Sequence, residues 1–248
     1  MKKLLTIFAP LLCFVLPASA AESEVATYRL NVEPFVELNV VDGVKVDCYL
    51  RADSAGMASF RCAPEVASQI MFSNKDGRLT IRTGAEETPI IGVPCLTVYT
   101  ASLVKVENSG DSLVCVHGPI VAKTFKARQI GNGSLEIRDL DVTQAEAGVT
   151  AGKGSLTISG KAGKAKLSNV STGPVDASGL LSDNVNCFIF GPGNIHCNPV
   201  RQLRVYGAGS GKVVYHTTPE KVTHRGLGVK ATSIDSLDVA ANDRVTNN

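Results

Sequence analysis

The 248-residue sequence has no tryptophan, three Met and four His, and its 8 Phe and 5 Tyr bring aromatic content to only 5%. It also lacks an excess of either charge: 25 Lys and Arg face 23 Asp and Glu, and Lys2 and Lys3 account for the difference. A near-neutral chain without Trp is a poor candidate for binding nucleic acid through counterion release, so no nucleic-acid partner is expected. No Cys-x-x-Cys pair occurs, and only Cys197 has a histidine beside it, His196. That spacing argues against zinc. Beyond the N-terminus no segment offers eighteen apolar residues, so no transmembrane segment is expected in the mature chain. What remains is 44% hydrophobic and 19% charged, which is globular and neither disordered nor collagen-like.

Residues 1–20 read as a signal peptide. Lys2 and Lys3 give a positive start, Leu4 to Leu16 an apolar stretch, and Ala18-Ser19-Ala20 the small residues before a cut at Ala21. Pro10 and Pro17 interrupt the stretch, and Leu12 stands before Cys13 where lipidation calls for a small residue. The expectation is an exported protein of the periplasm or cell surface. Six cysteines remain in the mature chain, at 48, 62, 95, 115, 187 and 197. An even number in an oxidising compartment permits disulfides, although six small buried hydrophobes are the alternative.

Residues 21–100 alternate apolar and polar. Val36, Leu38 and Val40, then Val44, Val46, Cys48 and Leu50, fall at every second position, as half-buried strands require. Asp42-Gly43 reads as a tight hairpin between them. A second hairpin about residue 55 would place Cys48 opposite Cys62, close enough to bridge. Pro64 to Ile70 suggests a helical turn, and Lys75-Asp76-Gly77 a turn into Leu79 and Ile81.

Residues 101–235 hold most of the 23 Gly and repeat. Tips such as Gly131-Asn132-Gly133-Ser134, Gly152-Lys153-Gly154-Ser155, Gly191-Pro192-Gly193-Asn194 and Gly209-Ser210-Gly211-Lys212 each precede an apolar residue. The closing positions are 113, 135, 156, 175, 195, 213 and 229. A step near twenty residues is a solenoid period. Gly133, Gly154, Gly193 and Gly211 are then equivalent corner glycines, with positive φ as the expected reason. The architecture is all-β: a strand-rich module over 21–100, a short solenoid over 101–235, and a polar tail over 236–248.

These blocks resemble a bacterial family, the putative autotransporter adhesin, head GIN domain. Phe35–Val40 with Val44–Leu50 resembles its opening; Leu79-Thr80-Ile81, Pro94-Cys95-Leu96 and Leu103–Val106 resemble its next blocks; the Gly-x-Gly tips resemble its serial Ser-Gly-x-Gly pattern. The resemblance spans about residues 28–230. It implies a right-handed β-helix-like fold in exported proteins, often of Bacteroidetes, and no catalytic residues. This chain departs from the pattern where Ile130, Ala151, Phe190 and Arg225 precede a tip glycine. Asp53-Ser54-Ala55, Asp111-Ser112-Leu113 and Asp235-Ser236-Leu237 resemble the O-glycosylation acceptor motif of Bacteroidetes exported proteins, which makes Ser54, Ser112 and Ser236 candidates; Asp-Ser is also ordinary turn chemistry.

The four His (117, 196, 216 and 224) accompany no Gly-x-Ser-x-Gly elbow, and no catalytic, cofactor-binding or metal residue is assigned. His196 and His216 lie one coil apart but at different offsets from their tips, so they are not expected to form a metal pair. Lys161, Lys164 and Lys166 lie two coils after Lys123, Lys126 and Arg128, and stacking in register would make a basic stripe able to bind an acidic polysaccharide. The function expected is a non-enzymatic envelope or surface protein, adhesin-like, with a glycan or an envelope or host protein as partner and no cofactor. A carbohydrate-active enzyme using Asp139 and Asp141, or a purely structural envelope protein, are the alternatives.

Overall fold

The computed structural model describes residues 25–84 and 92–236. The expected signal peptide with Cys13, the expected cut at Ala21, and the tail beyond Ser236 lie outside the described residues. The chain forms a β-solenoid of about 6 turns. Its strands are β1 (Ala26–Asn31), β2 (Glu37–Val40), β3 (Val46–Leu50), β4 (Met57–Cys62), β5 (Ile70–Lys75), β6 (Arg78–Thr83), β7 (Leu96–Thr100) and β8 (Lys105–Asn108). The long strands β9 (Leu113–Ile130), β10 (Ser134–Ala151), β11 (Ser155–Asn169), β12 (Val175–Phe190) and β13 (Ile195–Ala208) follow, then β14 (Lys212–Tyr215), β15 (Lys221–Leu227) and β16 (Lys230–Ser233). One turn of helix, α1 (Pro64–Ala67), stands where Pro64 can open it without an amide hydrogen.

Each long strand bends into three walls. On β10 the alternation of buried and exposed residues breaks at Arg138-Asp139, again at Thr143-Gln144, and at the Gly152–Gly154 tip. Leu135 and Ile137 face inward from the first wall, Leu140 and Val142 from the second, and Ala145, Ala147 and Val149 from the third. Parallel pairing stacks equivalent residues from coil to coil, so Val46, Val114, Leu135, Leu156, Val175, Ile195 and Val213 form one ladder. All seven are fully buried. A single coil exposes this face on both sides and only stacking covers it, at roughly 1.5–3 kcal/mol per large aliphatic side chain. Phe125 fits because its ladder neighbours on the next two coils are Ala145 and Ala165.

The period expected from sequence holds, with two shifts of position. Leu113 pairs with Ser134, so the first ladder member is Val114; Val213 pairs with Ala231 rather than Val229. At the first tip Ser112 stands where later coils have glycine, and this hides the register.

Two expected hairpins are absent. β2 runs parallel to β6 and β8, and β3 runs parallel to β7 and β9. Residues 37–50 are therefore a solenoid coil, with Asp42-Gly43 as its corner, and the sheet runs without a break through residue 100. Nor do β3 and β4 pair: β7 lies between them, antiparallel to β4. Cys48 is opposite Val98 and Cys62 opposite Ala26, and both are free, buried thiols. Burial pushes the Cys48 thiol up to about 12. The disulfide expected between Cys48 and Cys62 is thus not formed, because the chain fills the intervening position with a strand from elsewhere. The hairpin that does form is β5–β6, around Asp76 and Gly77, both at positive φ.

At the tips, positive φ and close approach fall on different glycines. Positive φ belongs to the first glycine of the tip, 96° at Gly131 and 84° at Gly152. Gly133, Gly154, Gly193 and Gly211 are required instead by close approach: a Cβ at each would lie 2.4 or 2.5 Å from a carbonyl oxygen of the preceding coil.

Candidate functional site

The third wall carries two outward ladders of polar residues. One runs Glu37, Lys105, Lys126, Glu146, Lys166, Asn186, Arg204. The next runs Glu107, Arg128, Gly148, Ser168, Phe188, Tyr206, Arg225. Between them lies a groove of about 650 Å³, whose lining includes Lys105, Lys126, Arg128, Glu146, Gly148 and Lys166. Gly148 makes the notch, since it places no side chain between Arg128 and Ser168.

The basic clusters expected from the sequence do align, but not as an unbroken stripe. Lys126 and Lys166 share a ladder with Glu146 between them, and Glu146 pairs with Lys126 at 3.6 Å. Lys105 is held between Glu37 at 3.9 Å and Glu107 at 3.7 Å. Among the described residues no carboxylate lies within 4.0 Å of Arg128 or Lys166. The Lys166 ammonium instead sits 5.6 Å from the Phe188 ring centre, and Phe188 stacks on Tyr206 with centroids 5.6 Å apart. The groove thus offers two unneutralised cations beside a stacked aromatic pair. Lys164 belongs to the adjacent ladder with Thr124 and Gln144, while Lys123 and Lys161 lie outside it on the second wall and its bend.

The first wall gathers groups that sequence reading kept apart. His196 Nδ1 and His216 Nε2 meet at 3.3 Å despite their different offsets, the side chains spanning two residues of register. Asp176, in register with His196, accepts hydrogen bonds from the Ser178 hydroxyl at 2.6 Å and the Ser178 amide at 3.0 Å. Burial pushes its carboxyl up, but these bonds and the two histidines hold it net below the ordinary range. Farther along the wall, Asp47, Cys115 and His117 bring one ligand atom each within 4.8 Å of one another. Asp47 comes from β3 and the other two from β9, so a search for local Cys and His spacing does not find this group. The available signal was Cys115-Val116-His117, two donors on one face of a strand.

Asp139 and Asp141 do not form the paired carboxylates considered above. Asp139 sits at a corner bulge with φ of 58°, and Asp141 stands on the second wall in register with Lys161. Ser54 donates to Asp53 at 3.0 Å, Ser112 to the Gly43 carbonyl at 2.6 Å, and Ser236 to the Ser233 carbonyl at 2.8 Å. Ser112 is half-buried in a corner, whereas Ser236 is exposed.

A family model described as "Putative auto-transporter adhesin, head GIN domain" matches residues 34–219. No curated protein matches the chain. Among solved structures, a putative adhesin from Bacteroides fragilis is similar with a TM-score of 0.74 at 16% identity, covering 85% of this chain and 97% of its own. A putative lipid binding protein from Parabacteroides distasonis has a TM-score of 0.69 at 14% identity, with 86% and 98% covered. A putative adhesin from the same species has a TM-score of 0.64 at 19% identity, with the same two coverages. At these identities the likeness establishes the fold. No helix among the described residues is long and apolar enough to cross a membrane.

Proposed function

The chain belongs to the putative auto-transporter adhesin, head GIN domain family, and from that premise we propose that it is an exported, non-enzymatic, adhesin-like surface protein that binds an anionic glycan along its third wall. The observation that carries this reading is the pair of unneutralised cations, Arg128 and Lys166, on either side of the Gly148 notch and next to the Phe188–Tyr206 stack. Guanidinium and ammonium groups suit carboxylate or sulfate substituents, and an aromatic face suits the apolar side of a pyranose ring. A groove lined by Lys, Arg and Glu fits a polar chain better than an acyl chain.

Calorimetric titration with polygalacturonate and chondroitin sulfate tests the reading. At least one polymer should bind, with affinity falling as salt rises, and neutral dextran should not. The double variant Arg128→Ala/Lys166→Ala should lose roughly a hundredfold or more in affinity, since each hydrogen bond to a charged group contributes about 1.5–3 kcal/mol. No binding of either polymer, or equal binding by the double variant, rejects the glycan. Reducing ends released from polygalacturonate, and lost in Asp139→Asn or Asp141→Asn, would replace the adhesin with an enzyme.

Export makes its own prediction. The mature protein should begin at Ala21, read by N-terminal sequencing of protein from the envelope. A lipidated N-terminal Cys13 would place the anchor elsewhere.

A further inference from the structure

The Asp47–Cys115–His117 cluster lies on the first wall, away from the groove. Its geometry follows from register. Asp47 on β3 stands opposite Cys115 on β9, and Tyr49 stands opposite His117. Outward residues two apart on a strand share a face, so all four project to one side. His117 Nε2 lies 3.4 Å from Asp47 Oδ1. Tyr49 stacks on the imidazole with centroids 4.4 Å apart and planes within 9°, which fixes the ring's orientation. Tyr99 continues the stack at 6.0 Å from Tyr49.

A fourth donor comes from the chain just before β7. The exposed Cys95 donates its S–H to Asp47 Oδ2 at 3.2 Å. Cys115 donates its own to Glu136 Oε2 at 3.8 Å, and Arg138 in turn bonds Glu136 at 2.7 Å. The cluster is therefore two thiols, a carboxylate and an imidazole around Asp47: the Cys95 thiol donates to it, His117 lies against it, and Cys115 Sγ lies within 4.8 Å of both its ligand atom and that of His117. The 3.4 Å between His117 Nε2 and Asp47 Oδ1 is what two bonds of about 2.0–2.2 Å at tetrahedral angles produce. Sulfur and imidazole donors select zinc-class ions over Ca²⁺ and Mg²⁺.

The geometry points to a transition-metal site of zinc type, with Asp47, Cys115 and His117 as ligands and Cys95 as the fourth. Binding replaces the two thiol protons by the metal and releases them to solvent, with no change of oxidation state. Asp47 then coordinates where it had accepted the Cys95 proton. Glu136 loses the Cys115 proton and keeps its bond to Arg138.

The test uses the mature chain, reduced and free of metal, titrated with Zn²⁺ and then with Co²⁺ as a spectroscopic probe. One ion per chain should bind. Co²⁺ should give the intense visible absorption of a tetrahedral site and a near-ultraviolet thiolate charge-transfer band. Cys115→Ser and His117→Ala should each weaken Zn²⁺ binding about a hundredfold or more. Cys95→Ser should retain binding with about half the charge-transfer intensity. His216→Ala, which alters the other histidine cluster, should leave affinity and spectrum unchanged. Far-ultraviolet circular dichroism of each variant separates loss of a ligand from loss of the fold; should Cys115→Ser not fold, Asp47→Asn and His117→Ala decide. Absence of stoichiometric binding, a Co²⁺ spectrum without charge transfer, or an affinity lost in His216→Ala but kept in His117→Ala overturns the site. An unchanged spectrum in Cys95→Ser overturns the four-donor set.

Discussion

Gly154→Val is expected to lower the melting temperature by roughly 8–16 °C while leaving groove binding by the surviving folded protein intact. A Cβ at this position would stand 2.4 Å from the Gly133 carbonyl oxygen and 2.7 Å from that of Gly131. Both obstacles are backbone, so no rotamer change relieves them. The coil must lift, and the bonds from the Gly154 amide to Gly131 at 3.0 Å and from the Ser155 amide to Gly133 at 3.1 Å stretch with it. Overpacking costs about 1–3 kcal/mol, and each weakened backbone bond about 1 kcal/mol. A total near 4 kcal/mol gives that shift for a chain of this size. Gly43→Ala is the matched control: its Cβ meets nothing nearer than the Ser112 hydroxyl oxygen at 3.8 Å, so little change is expected. Thermal melts followed by circular dichroism measure both. Unchanged stability with abolished ligand binding would make the tips a site and not a scaffold.

The same glycine shows what a sequence reveals and what it hides. Period and equivalence were legible, because every coil must present an inward apolar residue at one ladder position, as Leu135, Leu156, Val175, Ile195 and Val213 do. The cause of the glycine was not legible, because close approach depends on the coil beneath. Strand direction was also hidden. Asp42-Gly43 and Asp76-Gly77 are the same dipeptide between alternating runs, yet the first turns a solenoid corner and the second a hairpin. Local chemistry makes the turn in both; the partner strands of the first come from residues 78–81, 96–100, 105–108 and 114–117, far along the chain. The candidate sites divide likewise. Lys126 and Lys166 were legible as ladder partners, but the intervening Glu146 was overlooked. The Asp47–Cys115 pairing spans two passages of the chain and depends on a parallel register that no local pattern encodes.

Asn169→Ala should be a damaging small truncation inside the solenoid, costing on the order of 2–4 kcal/mol. Asn169 is fully buried at a tip. Its Nδ2 donates to the Gly173 carbonyl at 2.8 Å and to the Asn194 carbonyl, one coil on, at 3.0 Å. Its Oδ1 accepts from the Ser171 amide at 3.0 Å and the Ser171 hydroxyl at 2.9 Å. Alanine leaves the Ser171 amide without its acceptor and the Gly173 carbonyl with only the Ser171 hydroxyl at 3.5 Å, while the Asn194 carbonyl keeps the Val175 amide at 2.9 Å; each unsatisfied buried group costs about 1–3 kcal/mol. Asn108 repeats the arrangement, donating to Ser112 and Ser134 and accepting from the Gly110 amide. The ladder position itself does not demand a polar residue, since Val149 and Ile189 occupy it in other coils. Gln129, in the same ladder, makes the contrast: its Nε2 bonds the Ile130 carbonyl at 3.2 Å, and its buried Oε1 has no partner. Gln129→Leu removes a stranded acceptor for a side chain of similar size, so it should lie within about 1 kcal/mol of the parent. Urea melts of the two variants separate the cases. A Gln129→Leu loss equal to that of Asn169→Ala would show that the ladder requires polarity as such, and not the particular bonds that Asn169 makes.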